Sequence, residues 1–289
     1  MTEPVGYIGV GAMGSAIASR FLGSRELYVN DRNRAAAEEL VAGGATFAGL
    51  DEIAAGCRVV FLCLPGPAQV AGLVLGPEGL AAKLAPGSVV IDNTTSTPTA
   101  DEEIVAALAE RGIDYADAPI AGGVRRAREG TATLMVGASE SVFDRIKDLL
   151  LTVTSDVFHL GPIGAGHAMK LINNLLNGCN RFAALEAVRL GQACGIEQDD
   201  VVAVINKGSS RNYATEVTFP QLLSGDTYKP QGFTLALMQK DVRLAVELAD
   251  SLGHRVPVGK LALELAGEAV ARFGPDADQS QMMAEWYED

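Results

Sequence analysis

Up to about residue 161 the sequence alternates short runs rich in β-branched residues with alanine-rich stretches, and beyond that point the alternation stops. The runs are "VGYIGV" (5–10), "LYVND" (27–31), "RVVFLCL" (58–64), "SVVID" (88–92), "IDYADA" (113–118) and "TATLMVG" (131–137). Such an order predicts βαβ units around a doubly wound, mostly parallel sheet covered by helices on both faces. After "HLGPIGAG" (159–166) the strand signal fades. Residues 167–194 then run 28 residues without a proline and with helical spacing, which predicts a single long helix. Helical periodicity at 197–206, 232–252 and 256–273 makes the rest all-α. Two domains are therefore expected, 1–162 and 163–289, and a chain of 289 residues with 48% apolar content can bury the cores that two domains need. The last dozen residues, polar and ending in "EWYED", read as a mobile tail.

Charge and composition narrow the function. The formal charge of −13 (23 cationic against 36 anionic side chains) repels a phosphate backbone, so nucleic acid is not an expected partner. "VVFLCL" at 59–64 is far short of the ~20 residues that span a bilayer, so no membrane segment is expected. Cys57, Cys63, Cys179 and Cys194 show no CxxC spacing and no secretory segment precedes them, the pattern of reduced thiols in a cytoplasm. His159, His167 and His254 are isolated in sequence, read as surface or packing residues, and give no support to a metal site.

"GVGAMG" at 9–14 follows the first strand and opens an alanine-rich stretch. Gly9 permits a tight turn, Gly11 lets a pyrophosphate approach the backbone, and Gly14 lets the helix lie close on the sheet; Ala12 and Met13 complete the loop. This is the dinucleotide-binding pattern of a Rossmann domain. Asp31 ends the second run 22 residues after Gly9, where a carboxylate accepts hydrogen bonds from the adenosine ribose and repels a 2′-phosphate. NAD is the expected cofactor. Arg32 follows directly and could hold a 2′-phosphate, so NADP stays open.

On the long helix, Lys170, Asn173, Asn174, Asn177 and Arg181 fall at i, i+3, i+4, i+7 and i+11, one polar stripe opposite a face of leucine, isoleucine and alanine. A lone lysine on a helix is usually solvated. Three asparagines beside it, in a residue type that disfavours helix, argue for a polar site across the cofactor cleft, where Lys170 reaches a substrate hydroxyl and Asn174 orients it.

Four segments in order, "GYIGVGAMG" (6–14), "DAPIAGG" (117–123), "GAGHAMKLINN" (164–174) and "FTLALMQKDVRLA" (233–245), resemble the β-hydroxyacid dehydrogenase family from end to end of the chain. The resemblance implies hydride transfer between NAD(P) and a small β-hydroxyacid, with Lys170 as acid/base and Asn174 stabilising the developing alkoxide. It also implies that Asn174 and the Gly122–Gly123 backbone hold a carboxylate substrate, and that Leu64, Pro65, Thr95 (or Thr94), Phe233 and Lys240 lie along the cofactor. Symmetric dimers or tetramers are implied as well. The family usually carries a serine just before the glycine pair, and here that place is Ala121, so the ordinary substrates of the family are in question. Arg125, Arg126 and Arg128 follow at once; Arg125 is the candidate to take over the anion, and the alternative is a solvated face of three arginines. Two rivals stand beside this reading. An imine reductase shares the fold but commonly replaces the lysine, and a dinucleotide sensor has no need of a proton-transfer group.

Overall fold

The computed structural model describes residues 3–223 and 230–286. The chain divides into two compact units, Met1–Lys170 and Leu171–Asp289.

The first unit holds the nine strands found among the described residues: β1 (Val5–Ile8), β2 (Leu27–Asn30), β3 (Thr46–Phe47), β4 (Val59–Leu62), β5 (Val89–Asp92), β6 (Asp114–Asp117), β7 (Ile120–Ala121), β8 (Thr133–Gly137) and β9 (Asp156–Gly161). Between them lie helices α1 (Ala12–Ala18), α2 (Glu38–Ala42), α3 (Leu50–Gly56), α4 (Pro67–Leu75), α5 (Leu80–Lys83), α6 (Pro98–Ala109), α7 (Gly123–Glu129) and α8 (Glu140–Val153). The sheet order is β3-β2-β1-β4-β5-β6-β8-β7, with β9 against β8. The six strands β1–β6 pair in parallel. Their apolar residues fill two buried clusters, as strands covered on both faces require.

The sheet departs from uniform parallel winding at its far edge. β8 runs antiparallel to both β6 and β7, and β9 then lies parallel to β8. The three strands absent from the sequence reading are β3 and β7, of two residues each, and the half-exposed edge strand β9. β3 and β7 are too short to give a run, and the six residues of β9 interleave Asp156, His159 and Gly161 with its apolar side chains.

The remaining helices are α9 (Ala165–Ala193), α10 (Gln198–Lys207), α11 (Phe219–Leu223), α12 (Leu235–Ser251), α13 (Pro257–Phe273) and α14 (Gln279–Glu285). The single long helix is present, 29 residues long. The division between the two compact units falls inside it, after Lys170. No described helix is long and apolar enough to cross a membrane.

Two expectations about the second unit change. Residues 279–285 are no tail: they form α14, with Met282 and Met283 buried in the helical core, and Trp286 lies against Phe182 and Phe273. Residues 287–289 lie outside the described set. On α9, the apolar face is only partly covered: Leu185 and Val188 are buried, whereas Ile172, Leu176 and Leu190 are 54%, 61% and 68% exposed.

Candidate active site

The strand order 3-2-1-4-5-6 reverses between β1 and β4, and a crevice opens outside the carboxyl ends of the strands at such a switch point. The candidate cofactor residues follow those ends: Gly9–Gly14 after β1, Asp31 after β2, Leu64 and Pro65 after β4, Thr94 and Thr95 after β5. Gly14 is needed for packing, since a Cβ there would stand 1.9 Å from the Gly9 carbonyl oxygen. Gly11 is different. It caps α1 in extended backbone, and a Cβ there would meet nothing within 4 Å, which leaves bare space against a helix N-terminus. Exposed Gly11 and Ala12 and half-buried Met13 line this space, so the loop fits a pyrophosphate.

Asp31 is half-buried and already oriented: its Oδ2 accepts from Val10 N at 2.9 Å and its Oδ1 from Asn33 N at 2.8 Å. Each oxygen keeps a second lone pair for a ribose hydroxyl. Arg32 is exposed beside it. The pair Thr94 and Thr95 separates cleanly. Thr94 is buried, its hydroxyl accepts from Leu64 N at 3.0 Å and its own N–H goes to Asp92 Oδ1 at 2.8 Å, so its polar groups serve the frame. Thr95 is the half-exposed member.

In the glycine–arginine loop, Gly122 and Gly123 take φ of +121° and +77° where β7 turns into α7, a conformation that favours glycine. Ala121 pairs with Thr133 and is half-buried. The three arginines have protein partners. Arg125 Nε donates to Glu129 Oε1 at 2.9 Å with its side chain 83% exposed. Arg126 Nη2 donates to Thr131 O, and Arg128 reaches Glu39. This geometry favours the solvated face for all three. Arg125, the candidate for the substrate anion, is held by a carboxylate one turn along its own helix.

The first turn of α9 is bonded to the strand that leads into this loop. Asp117, at the end of β6, accepts from Gly164 N and His167 N, both at 2.7 Å, and caps the helix from outside it. Gly166 permits this approach, since a Cβ there would lie 2.2 Å from Met135 O and 2.7 Å from Asp117 Oδ2. One turn on, Lys170 Nζ donates to Ile120 O at 2.7 Å. Residues 50 apart in sequence thus meet beside Ala121.

His167 is not an isolated histidine. It is fully buried, and its Nδ1 lies 2.8 Å from Asp101 Oδ2. Tyr115 Oη stands 3.1 Å from both Asp92 Oδ2 and Asp101 Oδ1. Burial alone would lower the imidazole pKa, but the hydrogen bond and charge of Asp101, with Asp92 and Asp117 behind it, raise it to about 9. Burial pushes the Asp92 and Asp117 carboxyls up, and the His167 charge opposes this. One ligand atom from each of Asp92, Asp101 and His167 falls within 4.8 Å of the others; the carboxylates are engaged with His167 Nδ1 and Tyr115, while His167 Nε2 has no hydrogen-bond partner among the described residues. The sequence reading passed over all three aspartates. A carboxylate closing an apolar strand, as in "VVID" and "DYAD", was the available signal for two of them.

In the second unit, Asn174 Nδ2 donates to Asp241 Oδ2 at 2.7 Å, and Asn173 Nδ2 donates to Asn174 Oδ1 at 3.1 Å. The buried Asp241 therefore fixes which way the Asn174 amide points; Lys240 Nζ lies 3.2 Å from its other oxygen. Phe233 belongs to a loop whose N–H groups, with those of Gln231 and Gly232, converge on Asp278 Oδ2. The segment read as a tail thus begins by holding a candidate cofactor residue. Arg181 is the surprise of the stripe. It is 3% exposed, its Nη2 has only a 3.5 Å contact to Asn177 Oδ1, its Nη1 has no hydrogen-bond partner, and burial lowers its pKa to about 10.

Comparison with known proteins gives matches along both parts of the chain. Residues 4–161 match the family model for the NAD-binding domain of 6-phosphogluconate dehydrogenase, and residues 164–286 the model for the NAD-binding region of NADP-dependent 3-hydroxyisobutyrate dehydrogenase. A 2-(hydroxymethyl)glutarate dehydrogenase of Eubacterium barkeri is 35% identical over 98% of this chain and 94% of its own. The solved structure of Mycobacterium tuberculosis 3-hydroxyisobutyrate dehydrogenase with L-serine superposes with a TM-score of 0.88 at 27% identity, covering 99% of this chain and 100% of the other. An imine reductase of Myxococcus stipitatus, at 19% identity and a TM-score of 0.66 over the whole of both chains, shares the fold alone. The chain belongs to the 3-hydroxyisobutyrate dehydrogenase family of NAD(P)-dependent hydroxyacid dehydrogenases.

Proposed function

We propose that the substrate is a small β-hydroxyacid and that Lys170 exchanges its hydroxyl proton. The observation that carries this reading is the 2.7 Å bond from Lys170 Nζ to Ile120 O, which brings an ammonium beside Ala121, Gly122 and Gly123. When bound, the nicotinamide supplies the hydride acceptor. Gly9 to Gly14, Asp31, Leu64, Pro65, Thr95, Phe233 and Lys240 are assigned to hold the dinucleotide, with buried Thr94 behind them. The engagement of Asp31 by Val10 N supports NAD over NADP, because the carboxylate is held where a 2′-phosphate would meet it.

The substrate carboxylate is assigned to the backbone amides of Gly122 and Gly123 rather than to Arg125. Lys170 takes the hydroxyl proton in oxidation and returns it in reduction. Asn174, one turn along α9, stands on the same helix face, and the second N–H of its oriented amide stabilises the developing alkoxide. The absence of the family's serine at Ala121 leaves room for a larger substituent beside the reacting carbon. The same lysine argues against imine reduction.

The cell compartment assigned is the cytoplasm, supported by four cysteines that show no CxxC spacing. A homodimer or homotetramer is supported by the exposed Ile172, Leu176 and Leu190 of α9, an apolar row that a second copy could cover. Lys170→Ala tests the chemistry. It should lower kcat by about two to four orders of magnitude while NAD binding stays within about twofold. Near-normal turnover in that variant would end the reading.

A further inference from the structure

Beneath the candidate site, three aspartates and one histidine gather at the exits of three chain segments that carry site residues. Asp92 closes β5 and bonds Thr94 N. Asp117 closes β6, three residues before Ile120, and bonds Gly164 N and His167 N. Asp101 lies in the first turn of α6 and bonds the His167 ring. All four side chains are buried. The charged or titratable groups facing the imidazole are Asp92 from β5, Asp101 from α6, and Asp117 and Tyr115 from β6.

His167 precedes Lys170 by three residues, which on a helix places the two on neighbouring turns of one face. The backbone of His167 is fixed by Asp117 and its ring by Asp101, so the turn that carries Lys170 is held at two points on two different elements. Tyr115 has one hydroxyl proton for two carboxylates at equal distance. A cation among three carboxylates relieves the repulsion that this crowding creates, and a neutral side chain of the same size would not. Nothing else in the chemistry assigned to Lys170 and Asn174 uses this pair.

We propose that the buried His167–Asp101 ion pair is the positioning element of Lys170, setting the register of the first turn of α9 and hence the turnover rate rather than substrate or cofactor affinity. The inference rests on the reading of Lys170 as acid/base. A shift of about 1 Å in a reacting group can cost on the order of a hundredfold in rate, so a modest slip of this turn is enough to be read in kcat.

Three variants and one titration test it. His167→Gln keeps a donor but loses the charge; Asp101→Asn keeps the shape and loses the opposite charge. Each should lower kcat about 10- to 100-fold while KM for NAD and for the hydroxyacid changes less than about threefold. The double variant should be no slower than the worse single one, because either substitution breaks the same pair. With only three histidines in the chain, the ring signal of His167 is identified by its loss in His167→Gln. In the wild type it should titrate above pH 8, and in Asp101→Asn its midpoint should fall. A wild-type midpoint below 7, turnover within twofold of wild type in either folded variant, or losses that multiply in the double variant would overturn the proposal. Lys170→Ala, run alongside, separates the two readings. If that variant keeps its turnover, the assignment of Lys170 fails; if it loses turnover and His167→Gln does not, only the positioning role fails.

Discussion

Two glycines three residues apart offer a perturbation that separates folding from cofactor binding. At Gly14 an added methyl would stand 1.9 Å from Gly9 O, roughly 1.5 Å inside van der Waals contact, and the atom it meets is backbone that cannot swing away. Helix α1 must then back off the strand. Overpacking of this kind costs about 1–3 kcal/mol, or a Tm lowered by about 2–12 °C for a unit of this size. At Gly11 the same methyl meets nothing within 4 Å and the backbone suits any residue. The protein itself should lose no more than about 1 kcal/mol, the effect of a poorer cap. A dinucleotide, however, would find the methyl where its pyrophosphate approaches the helix N-terminus. Losing one charge-assisted hydrogen bond there, about 1.5–3 kcal/mol, weakens NAD binding by about 10- to 150-fold. Calorimetric melting and titration with NADH fluorescence, applied to both alanine variants, measure the two effects separately. Wild-type NADH affinity in Gly11→Ala would refute the placement of the pyrophosphate, and an unchanged Tm in Gly14→Ala would refute the close packing of α1.

Further outcomes follow from single side chains. Asp31→Ser should narrow the preference for NAD over NADP in kcat/KM; a wild-type preference for NADP contradicts the role given to this carboxylate. Arg125→Ala should raise KM for the hydroxyacid less than about threefold, since its side chain lies along its own helix toward Glu129 and is 83% exposed; a tenfold rise would restore Arg125 as the carboxylate anchor. Arg181→Met should leave Tm unchanged or raise it, because the guanidinium is buried with Nη1 unpartnered among the described residues, and the charge of Asp278 offsets only part of the desolvation that lowers its pKa; a fall of several degrees would show that the offset is larger. The pKa of His167 is raised from 6.5 to about 9 on folding. Its contribution to stability, on the order of 3 kcal/mol, is therefore complete below pH 6.5 and lost as pH climbs through 9. Urea midpoints should fall between pH 6.5 and 9.5 more in wild type than in His167→Gln, and equal falls would contradict the linkage.

The fold was legible where burial writes itself into composition. Runs such as "VVFLCL" are apolar throughout because β4 is covered on both faces, and the break at Gly161 marks where strands give way to helices. What stayed hidden was of two kinds. Short edge strands such as β7 have two residues and no periodicity to detect. Buried polar contacts depend on tertiary neighbours: Asp117 is one acid among 36 until the fold brings Gly164 and His167 to it, and His167 looks solitary because its partner lies 66 residues away. The lysine stripe was visible from helical spacing, but the spacing could not tell that Arg181 turns inward while Ile172 and Leu176 face out. The polar end of the chain misled for the same reason, since Asp278 is spent on the backbone of the Phe233 loop.

Candidate site residues of the first unit share one device, a side chain bonded to the backbone of a neighbouring strand or loop. Asp31 after β2 holds Val10 after β1; Thr94 after β5 holds Leu64 after β4; Asp117 at the end of β6 holds the start of α9; Lys170 returns to Ile120 on β7. Each bond ties two loops that would otherwise move independently, and loops above a sheet are the least constrained part of such a domain. Groups that act on developing charge must be in place before the reaction, because reorganising them during it would consume the stabilisation they provide. A frame built this way tolerates change at positions whose side chains bond nothing. Ala121 is one of these: no side-chain hydrogen bond is possible from it, and its backbone is kept in register by Thr133 on β8. On the roles proposed for these residues, substrate choice would vary at residue 121 while the proton-transfer geometry around Lys170 stays fixed. Ala121→Ser should accordingly alter the ranking of hydroxyacids by kcat/KM without lowering the kcat of the best of them more than about threefold. A uniform loss across all substrates would mean that Ala121 belongs to the frame and not to the choice of ligand.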